Sequence, residues 1–185
     1  MSERAKRGAV YEDLVKAPED RIAELVVGDL WLSPRPSLRH ANATTLLAGR
    51  LSEAFHWGRG GPGGWWIWFE PELHLGGDVL VPDLAGWRRE RLAELPDGVG
   101  IELAPDWVCE VLSPSTQDFD RERKLPRYAL AGVRHLWLLD PGLRRLEVLG
   151  LGSHGWDLLE EYRGEASVVA PPFEAVTIEL GRLWG

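Results

Sequence analysis

The sequence predicts one mixed α/β domain, and three observations lead there. Residues 105–140 run strand, helix, strand: apolar PDWVCEVLSPST (105–116), charged QDFDRERKLPRYALAG (117–132), then apolar VRHLWLLDP (133–141). A crossover of that kind joins parallel strands. Upstream, two apolar runs in IAELVVGDLWLSP (22–34) flank Gly28-Asp29, a hairpin signal. The 185 residues suit one ordinary core, and 44 % hydrophobic with 27 % charged residues is the balance of a folded chain.

The elements follow in order. MSERAKRGAV is charged, lacks the apolar stretch of a secretory signal, and reads as a frayed basic arm. With YEDLVKA (11–17), a short helix ended by Pro18, it makes a segment 1–17 ahead of a single domain over 18–185. Residues 37–57 are the clearest amphipathic helix, with Ser37 as cap and Leu46, Leu47, Leu51, Ala54 and Phe55 at helical spacing. The glycine-rich GRGGPGG (58–64) stops it and reads as a flexible loop; it has no Lys-Ser/Thr of a phosphate loop. WWIWFEPELHL (65–75) reads as one strand with an edge or bulge at Pro71, and DVLVPDLAGWR (78–88) as a second. RRERLAELPDG (88–98) is a surface turn or short helical excursion. Pro126 predicts a kink or late start in the helix of 117–132, which Gly132 caps. Residues 143–150 and 155–163 form a closing hairpin, and FEAVTIELGRLW a last strand or short helix, so the C-terminal end is β-rich.

Composition narrows the function. Twenty-one basic against 29 acidic residues give a formal charge of -8, which excludes a polybasic nucleic-acid coat but allows a local basic strip. The candidates for such a strip are Arg35, Arg39, Arg59, Arg88, Arg89, Arg91, Arg121, Arg123, Lys124 and Arg127. One cysteine, Cys109, excludes a disulfide framework and fits a reducing, cytoplasmic compartment. No apolar run approaches the roughly 20 residues that cross a bilayer, so no membrane role is expected. Ten tryptophans outnumber four Phe and three Tyr together; core and a subunit contact are their expected places.

Two acids stand in apolar company. Alternation along 106–112 puts Val108, Glu110 and Leu112 on one face and Trp107, Cys109 and Val111 on the other. A Glu among such neighbours needs a partner or a metal. Asp83, after Val-Pro, is the second such acid, although Pro-Asp is also a common turn. Two acids on neighbouring strands suit Mg²⁺ (or Mn²⁺), which takes one or two carboxylates and completes its shell with water and phosphate oxygens. Lys124, on the following helix, can hang over that face to orient or deprotonate a water, although a helix lysine is ordinarily solvated. Asp, Glu, Lys and a metal make a phosphodiester hydrolysis site. Cys109 faces the other way, and the five histidines have no zinc-ligand spacing.

These residues carry a resemblance. VPDLAGW (81–87), PDWVCEVLSPST (105–116) and DRERKLPRYALAGVRHLWLLDP (120–141) look like the Uma-two family, a bacterial group placed among nucleases of the PD-(D/E)xK superfamily. ELVVGDLWLSPRPSLRH (24–40) resembles that family's entry segment. The resemblance implies a restriction endonuclease-like fold, a mixed central sheet flanked by helices with the N-terminal hairpin beside it. It implies Asp83 and Glu110 as metal-binding catalytic acids. The superfamily lysine would stand at position 112, where this chain has Leu112, and the resemblance moves it to Lys124. Glu24 and His40 match the acid and His of the entry segment and form a possible secondary site. The expected activity is Mg²⁺-dependent cleavage of DNA by a homodimer, two sites serving two strands. The alternative is a non-catalytic binding or assembly module on the same fold.

Overall fold

The chain passes back and forth between two six-stranded sheets, and two of the crossings, around Pro71 and Pro82, place candidate acids. The computed structural model describes residues 1–185. In chain order the elements are β1 (Glu3–Arg7), α1 (Tyr11–Val15), β2 (Arg21–Val26), β3 (Asp29–Pro34) and α2 (Leu38–Leu51). Then come β4 (Trp65–Phe69), β5 (Glu72–Leu75), β6 (Asp78–Leu80), β7 (Leu84–Arg88), β8 (Gly100–Ile101) and β9 (Trp107–Val111). The helices α3 (Gln117–Phe119) and α4 (Leu125–Leu130) flank a wide π turn, Asp120–Lys124. The strands β10 (His135–Asp140), β11 (Arg145–Gly152), β12 (Gly155–Arg163), β13 (Ser167–Val168) and β14 (Ile178–Glu179) complete the chain with a 3-10 turn, Leu180–Leu183.

The first sheet has the order β1-β3-β2-β6-β5-β8 and the second β12-β11-β10-β9-β7-β4, with β13-β14 as a separate ribbon. The predicted crossover is present: β9 and β10 are parallel, with Glu110 opposite Leu138, while β7 and β11 pair antiparallel on either side. Alternation sorts the second sheet's side chains into two cores. Trp65, Ile67, Leu84, Trp107, Cys109 and Trp137 pack with Ala43, Leu47 and Leu51 of α2 and with Phe173. Ala85, Trp87, Val108, Leu136 and Leu138 pack on the other side with Leu73 and Leu80 of the first sheet and Tyr128 of α4.

Several expectations change. The N-terminal arm is not frayed: β1 pairs antiparallel with β3, all five residues exposed. The hairpin turns on Val27-Gly28, both at positive φ (54° and 73°), one residue earlier than Gly28-Asp29. WWIWFEPELHL is two strands in different sheets, broken at Glu70-Pro71, and DVLVPDLAGWR is likewise broken at 81–83. Proline cannot donate to a ladder, so Pro71 and Pro82 mark where the chain leaves one sheet for the other. Of the residues at helical spacing in α2, Leu46 is 42 % exposed. Ser37 caps α2 as expected, accepting from His40 N at 3.3 Å. Trp57 is the one fully exposed tryptophan; Trp65, Trp87, Trp107, Trp137 and Trp184 are buried.

The tryptophan core offers a test of hydrogen bonding against bulk. Trp107 and Trp137 lie edge to face at 5.4 Å, both against Phe173. Trp137 Nε1 donates to the Pro171 carbonyl at 2.8 Å, whereas Trp107 Nε1 is buried with no partner. Trp→Phe removes similar bulk at each position but strands an acceptor only at Trp137. Denaturant unfolding is expected to show Trp137→Phe the more destabilising by about 1 kcal/mol.

Candidate active site

Lys124 reaches the cleft because a proline widens its helix. Pro126 has no N–H for the carbonyl of Glu122, and its ring crowds that turn. The helix opens into the wide turn Asp120–Lys124, with Pro126 in the first turn of α4, and both Asp120 and Lys124 become buried. The Lys124 ammonium then sits 2.9 Å from Glu110 Oε1 on β9, 3.0 Å from Glu24 Oε1 on β2 and 3.8 Å from Asp120 Oδ1. It also donates to the Val81 carbonyl at 3.0 Å. The Tyr128 hydroxyl donates to the same Glu110 oxygen at 2.6 Å, and Val81 N donates to Glu24 at 2.8 Å.

Asp83 lies one step beyond the Leu84–Cys109 pair of β7 and β9, which sets it across from Glu110. Its Oδ2 accepts from Val111 N at 2.7 Å, and its Oδ1 is 3.1 Å from His40 Nε2. His40 is aimed there from the first turn of α2, where the Thr44 hydroxyl donates to its carbonyl at 2.8 Å. Thus all five sequence candidates, Glu24, His40, Asp83, Glu110 and Lys124, line one cleft of about 350 Å³. The Ser113–Thr116 loop and Arg35 form its mouth, and no tryptophan intrudes.

The electrostatics assign protons. Burial raises the Glu110 carboxyl to about 7, with Lys124 opposing and Asp83 and Glu24 adding to the rise. Burial also pushes Asp120 well above the carboxylate range, helped by Glu110. Burial alone would lower Lys124, but Glu110 and Glu24 outweigh it and hold the ammonium well above its ordinary value. An ammonium held that way orients and stabilises negative charge. His40 is likewise raised: burial opposes its charge and is overcome by the hydrogen bond and charge of Asp83.

Three residues at or beside the cleft escaped the sequence reading. Tyr128 and Asp120 belong to the helical stretch, where nothing in the pattern says which polar groups turn inward. Glu70, read as mid-strand, is half-buried at the β4–β5 break with φ 44°, and its N–H donates to the Asp83 carbonyl at 3.1 Å. A non-glycine residue in that region costs about 1 kcal/mol or more. The basic strip also changes. Arg121 pairs with Glu147, Arg127 with Asp78 and Arg91 with Asp106. Arg88 and Arg89 lie over Trp65 and Trp66 at 4.7 and 4.0 Å, Arg123 over Trp31 at 5.5 Å, and exposed Arg59 over Trp57 at 5.7 Å. Only Arg35 and Arg39 stand exposed beside the cleft without an ion pair.

The donor set suits a hard divalent cation. Four buried or nearly buried carboxylates face one lysine and one histidine. No three acid, His or Cys groups are drawn together as a ready-made cage.

A mixed sheet with an acid pair and lysine in a cleft at its strand ends defines a restriction endonuclease-like protein. Residues 10–181 match the Uma2 (Uma-two) family, described as "Putative restriction endonuclease", and the chain belongs to that family. It is also similar in structure to a protein of Anabaena variabilis ATCC 29413 described as "a putative nuclease belonging to DUF820". That likeness has TM-score 0.72 at 19 % identity over 95 % of this chain and 97 % of that one. No curated protein matches. No helix is long and apolar enough to cross a membrane.

The Glu110 shift has a measurable sign. The unfolded carboxyl titrates near 4.5 and the folded one near 7, so the folded chain keeps a proton that the unfolded chain has lost. Raising the pH from about 4.5 to 7 therefore costs stability, by up to about 3 kcal/mol from this group. Denaturant unfolding across that window is expected to show a downward slope that Glu110→Gln flattens.

Proposed function

We propose that the chain is a Mg²⁺- or Mn²⁺-dependent endonuclease that hydrolyses phosphodiester bonds in DNA. One observation carries the reading: Asp83, Glu110 and a permanently charged Lys124 face one open polar cleft, with Lys124 Nζ 2.9 Å from Glu110. Asp83 and Glu110 would hold the cation. When bound, the cation supplies a polarised phosphate and a water of lowered pKa.

The chain's own groups supply the rest. Lys124, fixed by Glu24, Asp120 and the Val81 carbonyl, stabilises negative charge as it develops on the phosphate oxygens. Tyr128 holds Glu110 by one oxygen and leaves the other for the cleft. His40 and Val111 N fix Asp83 in one orientation. Arg35, at the mouth, is placed to meet the backbone phosphate. Cutting both strands of a duplex calls for two such sites, so the reading includes a homodimer. An unplugged cleft favours this reading over that of a non-catalytic module.

Plasmid nicking tests it. The unaltered protein is expected to convert supercoiled DNA to nicked and linear forms with Mg²⁺ or Mn²⁺. Asp83→Asn and Glu110→Gln, each compared in protein shown by circular dichroism to be folded, are expected to lose at least a hundredfold in rate. No cleavage by the unaltered protein over a range of salts and DNA forms would overturn the assignment.

A further inference from the structure

Glu70 stands in register with the proposed metal acids. β4 and β7 pair Phe69 with Leu84, and β7 and β9 pair Leu84 with Cys109. One step further along all three strands gives Glu70, Asp83 and Glu110, a row running straight across the sheet. The three strands approach the row with the same face: two steps back, Ala85 and Val108 lie in one core and Trp68 packs against it. Residues opposite one another on paired strands bring their side chains together.

The backbone of Glu70 is unusual for its place. The other non-glycine residues at positive φ, Val27 and Arg144, lie in hairpin turns that require such angles. Glu70 lies in the step between two sheets, before a proline, and a glycine would take that conformation without strain. Its N–H is spent on the Asp83 carbonyl, so the two acids are locked together through the main chain. Its own carboxylate makes no hydrogen bond and no ion pair, yet Asp83, Arg35, His40 and Lys124 all act on it electrostatically. A half-buried acid with no side-chain partner, tied to Asp83 at the edge of the cleft, is available to a ligand that carries hydrogen-bond donors.

We propose that Glu70 is a positioning residue of the cleft, its carboxylate accepting hydrogen bonds from the water shell of a divalent cation held by Asp83 and Glu110. This rests on the cation-dependent reading above. Mg²⁺ and Mn²⁺ keep several waters when bound by two carboxylates, and those waters need acceptors. Residues that act on a metal through its bound groups change affinity by roughly tenfold to a hundredfold. Glu70 is then the third acid of the row without being a direct ligand.

Mn²⁺ titration followed by the electron paramagnetic resonance of the free ion separates the possibilities. The proteins are the unaltered chain, Glu70→Gln, Glu70→Gly, Asp83→Asn and, as an exposed control, Glu53→Gln. The unaltered chain and Glu53→Gln are expected to bind alike. Glu70→Gln and Glu70→Gly are expected to bind at least tenfold more weakly, with Glu70→Gly melting no lower than the unaltered chain. That combination excludes a merely structural role, because stability and affinity would move in opposite directions. Equal Mn²⁺ affinity in the Glu70 variants, with binding lost in Asp83→Asn, overturns the role of Glu70 and leaves the cation site standing. No Mn²⁺ binding by the unaltered chain removes the underlying reading and the inference together.

Discussion

A single buried ammonium holds the two halves of this protein to one another. Lys124 is reached by Glu24 from the first sheet, Glu110 from the second, Asp120 from its own turn and the Val81 carbonyl from the link between the sheets. Each of those groups is costly to bury alone, and the lysine is costly to bury without them. Removing one partner of such a set typically costs 3–5 kcal/mol, roughly the margin of a small domain. The same contacts therefore serve two ends. They help set how the N-terminal hairpin sits on the crossover unit, and they hold a positive charge beside an acid pair.

The location of the acids follows from topology. The chain runs out of the second sheet after Phe69, makes a hairpin in the first through β5 and β6, and returns at Leu84. Both steps carry a proline, Pro71 and Pro82, and both place an acid beside it. Main-chain groups at such a divergence have lost their ladder partners. Here they are satisfied by the functional side chains themselves: Asp83 accepts from Val111 N, Glu24 from Val81 N, and Val81 O receives Lys124. The cleft is thus the gap between diverging sheets, lined by the residues that repair the gap.

That gap also explains what the sequence disclosed. Asp83 and Glu110 were legible because a carboxylate among valines, leucines and tryptophans breaks an alternating pattern. Lys124 was legible from the crossover, which brings that helix beside the Glu110 strand, and from the family resemblance. Glu24 and His40 sit in ordinary hairpin and helix surroundings, and only the family resemblance drew them in. Glu70 was hidden because a proline in a strand signals a bulge and a change of sheet equally well. β1 was hidden for another reason: ERAKR has no apolar face, and its strand state comes entirely from β3. The fate of Arg121 and Arg127 depended on Glu147 and Asp78, acids of distant strands that no local pattern connects to them.

The charge balance gains a sharper meaning from those ion pairs. A chain of net charge -8 meets DNA only where positive charge is concentrated, and most of its candidate arginines are already committed. Arg91, Arg121 and Arg127 neutralise acids, and Arg88, Arg89 and Arg123 lie over indole rings. Arg35 remains at a cleft whose floor is acidic, with Arg39 exposed on α2 next to His40. Few free cations mean few counterions released, so a polyanion would bind with a shallow dependence on salt. The acidic floor would oppose phosphate until a divalent ion offset it. On the proposed reading, cation and nucleic acid are therefore coupled by charge: each makes room for the other in a cleft that neither would enter favourably alone.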